Sequence, residues 1–262
     1  MTPRSPVPGL RPQWPAHPRV GAFVSIRAGG VSQGRFNDPG GSGGGLNLGD
    51  QVGDDPVAVT ENRARLQASV PGPIHWLRQV HGTVVHHADG PEAPVSPPVA
   101  DAAITCTPGV VIGVITADCL PILLADAEGR AVGVAHAGWR GLAAGVTEAA
   151  VAALRARIGA GCELTAWLGP AIGPTAFEVG SDVRDAFCDT DPGAAAAFAV
   201  AATPGKWLAN LYALTRRRLQ ACGVGQVAGG NLCTVSDPLR FYSHRRDRVS
   251  GRMASLVWLA GR

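Results

Sequence analysis

Residues 110–116 read Val-Val-Ile-Gly-Val-Ile-Thr. A run so rich in β-branched side chains, with no polar alternation, predicts a central strand buried on both faces. Such a strand needs an apolar layer above it and another below. The chain downstream is equally restrictive. Residues 122–125 and 131–135 flank a Glu128-Gly129 turn and read as a hairpin. Residues 142–158 place Leu142, Val146, Ala150, Leu154 and Ile158 at helical spacing. This mixed order of strands and helices points to an α/β domain with a mixed sheet, not to a regular βαβ alternation.

Further strands are expected at 20–27, 74–79, 84–88, 101–105, 164–168, 227–232 and 254–259. Helices are expected at 55–69, 179–187 and 208–222. In the first of these, Asp54 or Asp55 serves as cap and Pro56 suits the opening turn. The Ala-rich stretch 193–202 fits either a helix or a loop. Residues 40–45, Gly-Gly-Ser-Gly-Gly-Gly, read as a flexible loop. Residues 1–19 contain prolines at 3, 6, 8, 12, 15 and 18 and are expected to be a disordered leader. With no repeat and no linker in sight, residues 20–262 form a single domain, long enough to bury a substantial core.

Charge narrows the function. A formal net charge of +3 over 262 residues gives no reason to expect nucleic-acid or membrane binding. No apolar run reaches the length of a bilayer span and no signal core opens the chain, so a cytoplasmic location is expected; the chain is also expected to be a monomer. The six cysteines are scattered and form no CxxC pair, which suits free thiols in a reducing compartment.

Three short stretches carry metal-capable side chains: Gln79-Val80-His81-Gly82, Ala117-Asp118-Cys119-Leu120-Pro121 and His136-Ala137-Gly138-Trp139-Arg140-Gly141. Two imidazoles and a thiolate make a three-ligand zinc site with one coordination position open, as catalytic zinc sites have. The same atoms also suit a cysteine hydrolase, with Cys119 activated by His136 or His81. A structural zinc closed by Cys106 or Cys233 is a third reading. Arg140, between Gly138 and Gly141, sits at a helix start suited to anions. Near the end of the chain, His244, Arg245 and Arg246 concentrate polar groups. Glu178 either caps the helix after it or faces a ligand.

In number and order, several segments resemble one family, the YfiH-like proteins, also called the DUF152 or multicopper polyphenol oxidase (laccase-like) family. They include SIRAGGVSQGRF, LNLGDQVGDD, RQVHG, ADAAIT, TADCLPILLAD, VAHAGWRG, WLGPAIGPTAFEVG and SGRMASLVWL. The resemblance implies an α/β/β/α sandwich with mixed sheets, related to toxin deamidases with a Cys–His centre. It implies zinc held by His81, Cys119 and His136. It also implies phosphorolysis of adenosine, inosine and methylthioadenosine, with purine nucleosides and phosphate as partners, and adenosine deamination by the same protein. The older family name implies copper-dependent phenol oxidation instead. The chain departs from the family pattern at Ala171, Phe177 and Asn210, where Cys, Tyr and Asp are common.

Chemistry weighs the two labels. A multi-copper oxidase needs several copper centres, whereas this chain has seven His and two Met and no His-x-His pair. Copper at His81, Cys119 and His136 remains an adventitious alternative. One zinc with an open position suits deamination directly. For phosphorolysis, Arg140 and Arg245 are assigned to the anion. Asp118, Asn47 and Gln79 are assigned to the base or ribose, Arg27 to substrate binding, and His244 to proton donation.

Overall fold

The computed structural model describes residues 6–41 and 43–261. The β-branched run forms the strand Val111–Thr116. It lies inside a five-stranded sheet ordered Gly9–Leu10, Val20–Ser25, Met253–Leu259, Val111–Thr116, Ile74–His75. A six-stranded sheet runs Gln226–Gly229, Leu164–Leu168, Leu120–Asp126, Val132–Ala137, Ala102–Thr105, Val85–His87. Both sheets are mixed. Val111–Thr116 pairs antiparallel with Met253–Leu259 and parallel with Ile74–His75. Leu164–Leu168 pairs antiparallel with Leu120–Asp126 and parallel with Gln226–Gly229.

Side-chain alternation along the strands sorts the layers, because successive residues point to opposite faces. Ile112 and Val114 join Leu123, Ala125, Val132, Val134 and Val257 in the core between the two sheets. Their alternates face outward. Ile122 and Leu124 pack against Val146, Ala150 and Leu154 of the helix Val146–Ile158 and Leu214 of the helix Leu211–Ala221. On the far side, Val111 and Leu256 pack with Leu66 of the helix Pro56–Gln67. The result is the expected α/β/β/α sandwich. Each buried Leu, Ile or Val contributes about 1.5–3 kcal/mol through the apolar surface it removes from water.

Several expectations are corrected. The leader is not disordered throughout. Gly9–Leu10 pairs with Val24 and Ser25, and Val7 is buried in the outer core of the five-stranded sheet. Proline forbids helix and central strand but leaves short edge pairing open; residues 1–5 of that stretch lie outside the described residues. The glycine-rich loop is partly packed, with Gly44–Gly45 pairing with Ala28–Gly30; Ser42 lies outside the described residues. The 142–158 helix is two helices, Trp139–Ala144 and Val146–Ile158, broken at Gly145 with φ 102°. Glycine takes that left-handed conformation without a Cβ clash. The 74–79 strand shortens to Ile74–His75. The Ala-rich stretch becomes a 3₁₀ turn, Pro192–Ala197, followed by the strand Phe198–Val200.

Candidate metal centre

Residues 117–119 cross from the end of Val111–Thr116 in one sheet to the start of Leu120–Asp126 in the other. Cys119 therefore sits at the seam between the sheets. His136 lies on the neighbouring strand, opposite Pro121. His81 arrives on the segment after Ile74–His75. The side-chain amide of Gln79 anchors that segment, donating to the Ile115 carbonyl at 2.9 Å and accepting from its N–H at 2.8 Å.

The donor atoms of His81, Cys119 and His136 all lie within 4.8 Å of one another. Cys119 Sγ is 3.7 Å from His81 Nε2, and the two imidazoles meet edge-on with ring centroids 4.7 Å apart. Gly138 leaves the room this needs, since a Cβ there would stand 2.6 Å from His81 Cδ2 and 3.0 Å from Cys119 Sγ.

Asp101 organises the cluster, and no role was read for it in the sequence. Its buried carboxylate accepts N–H bonds from Val80, His81 and Gly82 at 3.1, 2.9 and 2.7 Å, and the His136 Nδ1 bond at 2.8 Å. Three successive backbone N–H groups around one carboxylate form an anion nest. The nest holds His81 at φ 61°, a conformation that costs a non-glycine residue on the order of 1–3 kcal/mol. The bond to His136 fixes the proton on Nδ1 and leaves Nε2 as a neutral ligand atom. Burial opposes ionisation of Asp101, but the bonds from His136, Gly82 and Val80 outweigh it and hold the carboxyl below its ordinary range.

Asp118 is the second strained residue, at φ 87°. Its carboxylate accepts from the Thr234 hydroxyl at 2.6 Å and from the Arg245 N–H at 2.6 Å, so it ties the C-terminal segment to the seam. The metal-free cluster is charged. Burial resists the Cys119 thiolate, but the charge of His136 and hydrogen bonds from both imidazoles bring its pKa down to about 6. Burial likewise resists the His136 imidazolium, but the Cys119 charge and the bond to Asp101 raise it to about 9. Two imidazoles and an ionised thiol are a donor set that borderline-soft metals accept. The residues present therefore fit a metal ion.

The cluster opens into a cavity of about 530 Å³ whose wall also includes Gln79, Arg140 and His244. That volume lies in the range of small-molecule sites. The other expected site residues are placed differently. Asn47 is fully buried with its amide satisfied, bonded to Gly49, Asp54 and Arg252. It shapes the loop beside the cavity, and both atoms of its side-chain amide are already engaged twice. Arg27 lies over the Tyr242 ring at 4.8 Å and bonds the Asn37 carbonyl, away from the cavity wall. Arg245 turns its guanidinium to the Glu178 carbonyl at 3.0 Å, over Phe177. The Glu178 carboxylate accepts from Thr203, while Gly180 caps the helix Ser181–Cys188. Cys233 Sγ accepts from the Gly173 N–H and is not part of the donor cluster.

The departures at Ala171, Phe177 and Asn210 are accommodated. Ala171 and Phe177 are buried in the helix-side core. Asn210 caps the helix Leu211–Ala221 by accepting from the Ala213 N–H, as an Asp would. Arg78 and Arg252 also line the cavity. They lie in the RQVHG and SGRM segments.

Comparison with known proteins agrees in fold and family. The sequence profile of the family described as multi-copper polyphenol oxidoreductase laccase matches residues 21–260. A Pseudomonas aeruginosa protein named purine nucleoside phosphorylase is 52% identical over 250 residues, covering 95% of this chain and 98% of its own. Escherichia coli purine nucleoside phosphorylase YfiH is 46% identical over 250 residues, covering 95% and 97%. A crystal structure of a Neisseria meningitidis protein superimposes with a TM-score of 0.88 at 48% identity, covering 97% of this chain and 99% of that one.

Proposed function

This chain belongs to the multi-copper polyphenol oxidoreductase laccase family, together with relatives that carry the name purine nucleoside phosphorylase, and from that premise we propose that it is a zinc-dependent purine nucleoside phosphorylase. The observation that carries the reading is the His81–Cys119–His136 cluster on the wall of a nucleoside-sized cavity. Its substrates are adenosine, inosine and methylthioadenosine with phosphate, and adenosine deamination is a second activity of the same site.

A zinc ion held by the three side chains supplies Lewis acidity at the cavity wall. The chain supplies the rest. Asp101 keeps the His136 proton on Nδ1 and aims Nε2 at the cluster. Arg140 stands in the first turn of Trp139–Ala144 and contributes positive charge for phosphate. His244 is an exposed imidazole on the same wall and is assigned to protonating the departing purine. Phenol oxidation by several coppers is disfavoured because, among the described residues, His81, Cys119 and His136 are the one group with metal-ligating geometry.

Incubating the purified protein with adenosine, with and without phosphate and with and without a chelator, tests this. Adenine formed only with phosphate and metal supports phosphorolysis, and inosine formed without phosphate supports deamination. Adenosine left untouched by metal-loaded protein, with oxygen consumed on a phenol instead, overturns the reading.

A further inference from the structure

The arginines near the cleft separate by what their guanidinium groups touch. Arg245 bonds the Glu178 carbonyl, Arg246 pairs with Asp247, and Arg252 bonds the carbonyls of Ser250 and Gly251. Arg63 pairs with Asp50 at 3.3 Å. Arg78 differs. Its backbone is clamped on both sides, its N–H donating to the Pro98 carbonyl at 2.9 Å and its own carbonyl accepting from Ala100 at 3.2 Å. The next residue, Gln79, is bonded in both directions to Ile115. The Arg78 side chain thus projects from a fixed base, and among the described residues it has no hydrogen bond, ion pair or ring contact.

Its position is also particular. Arg78 stands on the wall shared by the metal-side cavity and an adjoining one of about 520 Å³. Arg140 lines the first cavity too, and among the described residues its guanidinium has the neighbouring Trp139 ring, at 4.4 Å, as its one contact. Among the described residues, Asp50 is the one carboxylate lining either cavity, and Arg63 balances it. The wall is left with an excess of positive charge, and a concave low-dielectric surface concentrates that potential. An unpaired guanidinium recognises phosphate by paired hydrogen bonds, and the fixed backbone beneath it confines the ordering that binding must complete to the side chain.

We propose that Arg78 is the substrate-binding residue for a phosphate dianion, acting with Arg140 of the same cavity. This deepens the phosphorylase reading and rests on it for the role of the phosphate. Two sources share the chemistry: inorganic phosphate as co-substrate, or the phosphate of a purine nucleotide entering from the adjoining cavity.

The test uses metal-loaded full-length protein with Arg78→Ala and Arg78→Lys. Thermal midpoints are measured with inorganic phosphate, with adenosine monophosphate and with chloride at equal ionic strength, alongside the KM for phosphate. Phosphate is expected to raise the wild-type midpoint more than chloride does. Arg78→Ala should abolish that rise and increase the phosphate KM by about tenfold or more, as loss of a charged hydrogen bond predicts. Its adenosine KM should be unchanged, and Arg78→Lys should be intermediate. A rise with adenosine monophosphate but not with inorganic phosphate, lost in Arg78→Ala, supports the residue and assigns the nucleotide as source. A wild type that responds to neither anion, or an Arg78→Ala protein that keeps both the rise and the KM, overturns the proposal. Adenosine turnover independent of phosphate would sink the phosphorylase reading alone, because the midpoint shifts still judge Arg78.

Discussion

Asp101 does at residue scale what the ligands cannot do for themselves. One carboxylate holds a strained His81 backbone and sets the tautomer of His136. Asp101→Asn keeps the shape but exchanges an acceptor oxygen for an NH₂ that cannot accept. Metal affinity, read by competition with a chromophoric chelator, should fall about 10–100-fold, the usual effect of removing a partner behind a ligating histidine. An unchanged affinity in the folded variant would count against the nest. Cys119 gives a second residue-scale expectation, for the metal-free protein. Its thiolate forms as pH rises through about 6, whereas an unperturbed cysteine ionises near about 8.5. Iodoacetamide labelling should therefore rise between about pH 5 and 7 and then level off. His136→Ala should move that rise to higher pH, because the cation stabilising the thiolate is gone.

At the scale of elements, helix ends and strand ends carry the local stability and the site geometry. Asn210 satisfies one orphan N–H of the helix Leu211–Ala221. Asn210→Ala should cost about 1 kcal/mol in chemical denaturation, and Asn210→Asp close to nothing. A similar loss in both variants would mean that a property of the amide other than its acceptor oxygen matters there. The helix limits were readable within a few residues because caps and breakers are local: Asp55 and Pro56 open the first helix as expected. The break at Gly145 was not readable, since an isolated glycine inside a helical pattern is usually tolerated. That break sets Trp139–Ala144 apart as a short helix beside the cluster, with Arg140 in its first turn.

For the whole molecule, the N-terminal stretch is part of the packed structure. Val7 fills the outer core, and Leu10 pairs at the edge beside Val24. Deleting residues 1–10 should lower stability by about 2–3 kcal/mol, the value of roughly one buried aliphatic side chain. A deletion that leaves the denaturation midpoint in place would show that the contact adds nothing.

The apolar periodicities, turn residues and caps are properties of neighbours along the chain, so the strands and most helices were legible without coordinates, while the sandwich they build was what the family resemblance implied. The three metal-capable residues were legible too, because each sits at a break in an apolar run. Which polar groups are already satisfied was not legible. Asn47 looked available and is saturated by Gly49, Asp54 and Arg252, while Arg245 looked like an anion ligand and is turned to Glu178. Asp101 looked like the start of a strand and is the centre of the cluster. Beside the local bonds of Asn47 to Gly49 and Asp54, hydrogen bonds between residues 19 to 205 positions apart decide these roles. No local pattern encodes them, and only the packing of one sheet on the other brings the partners together.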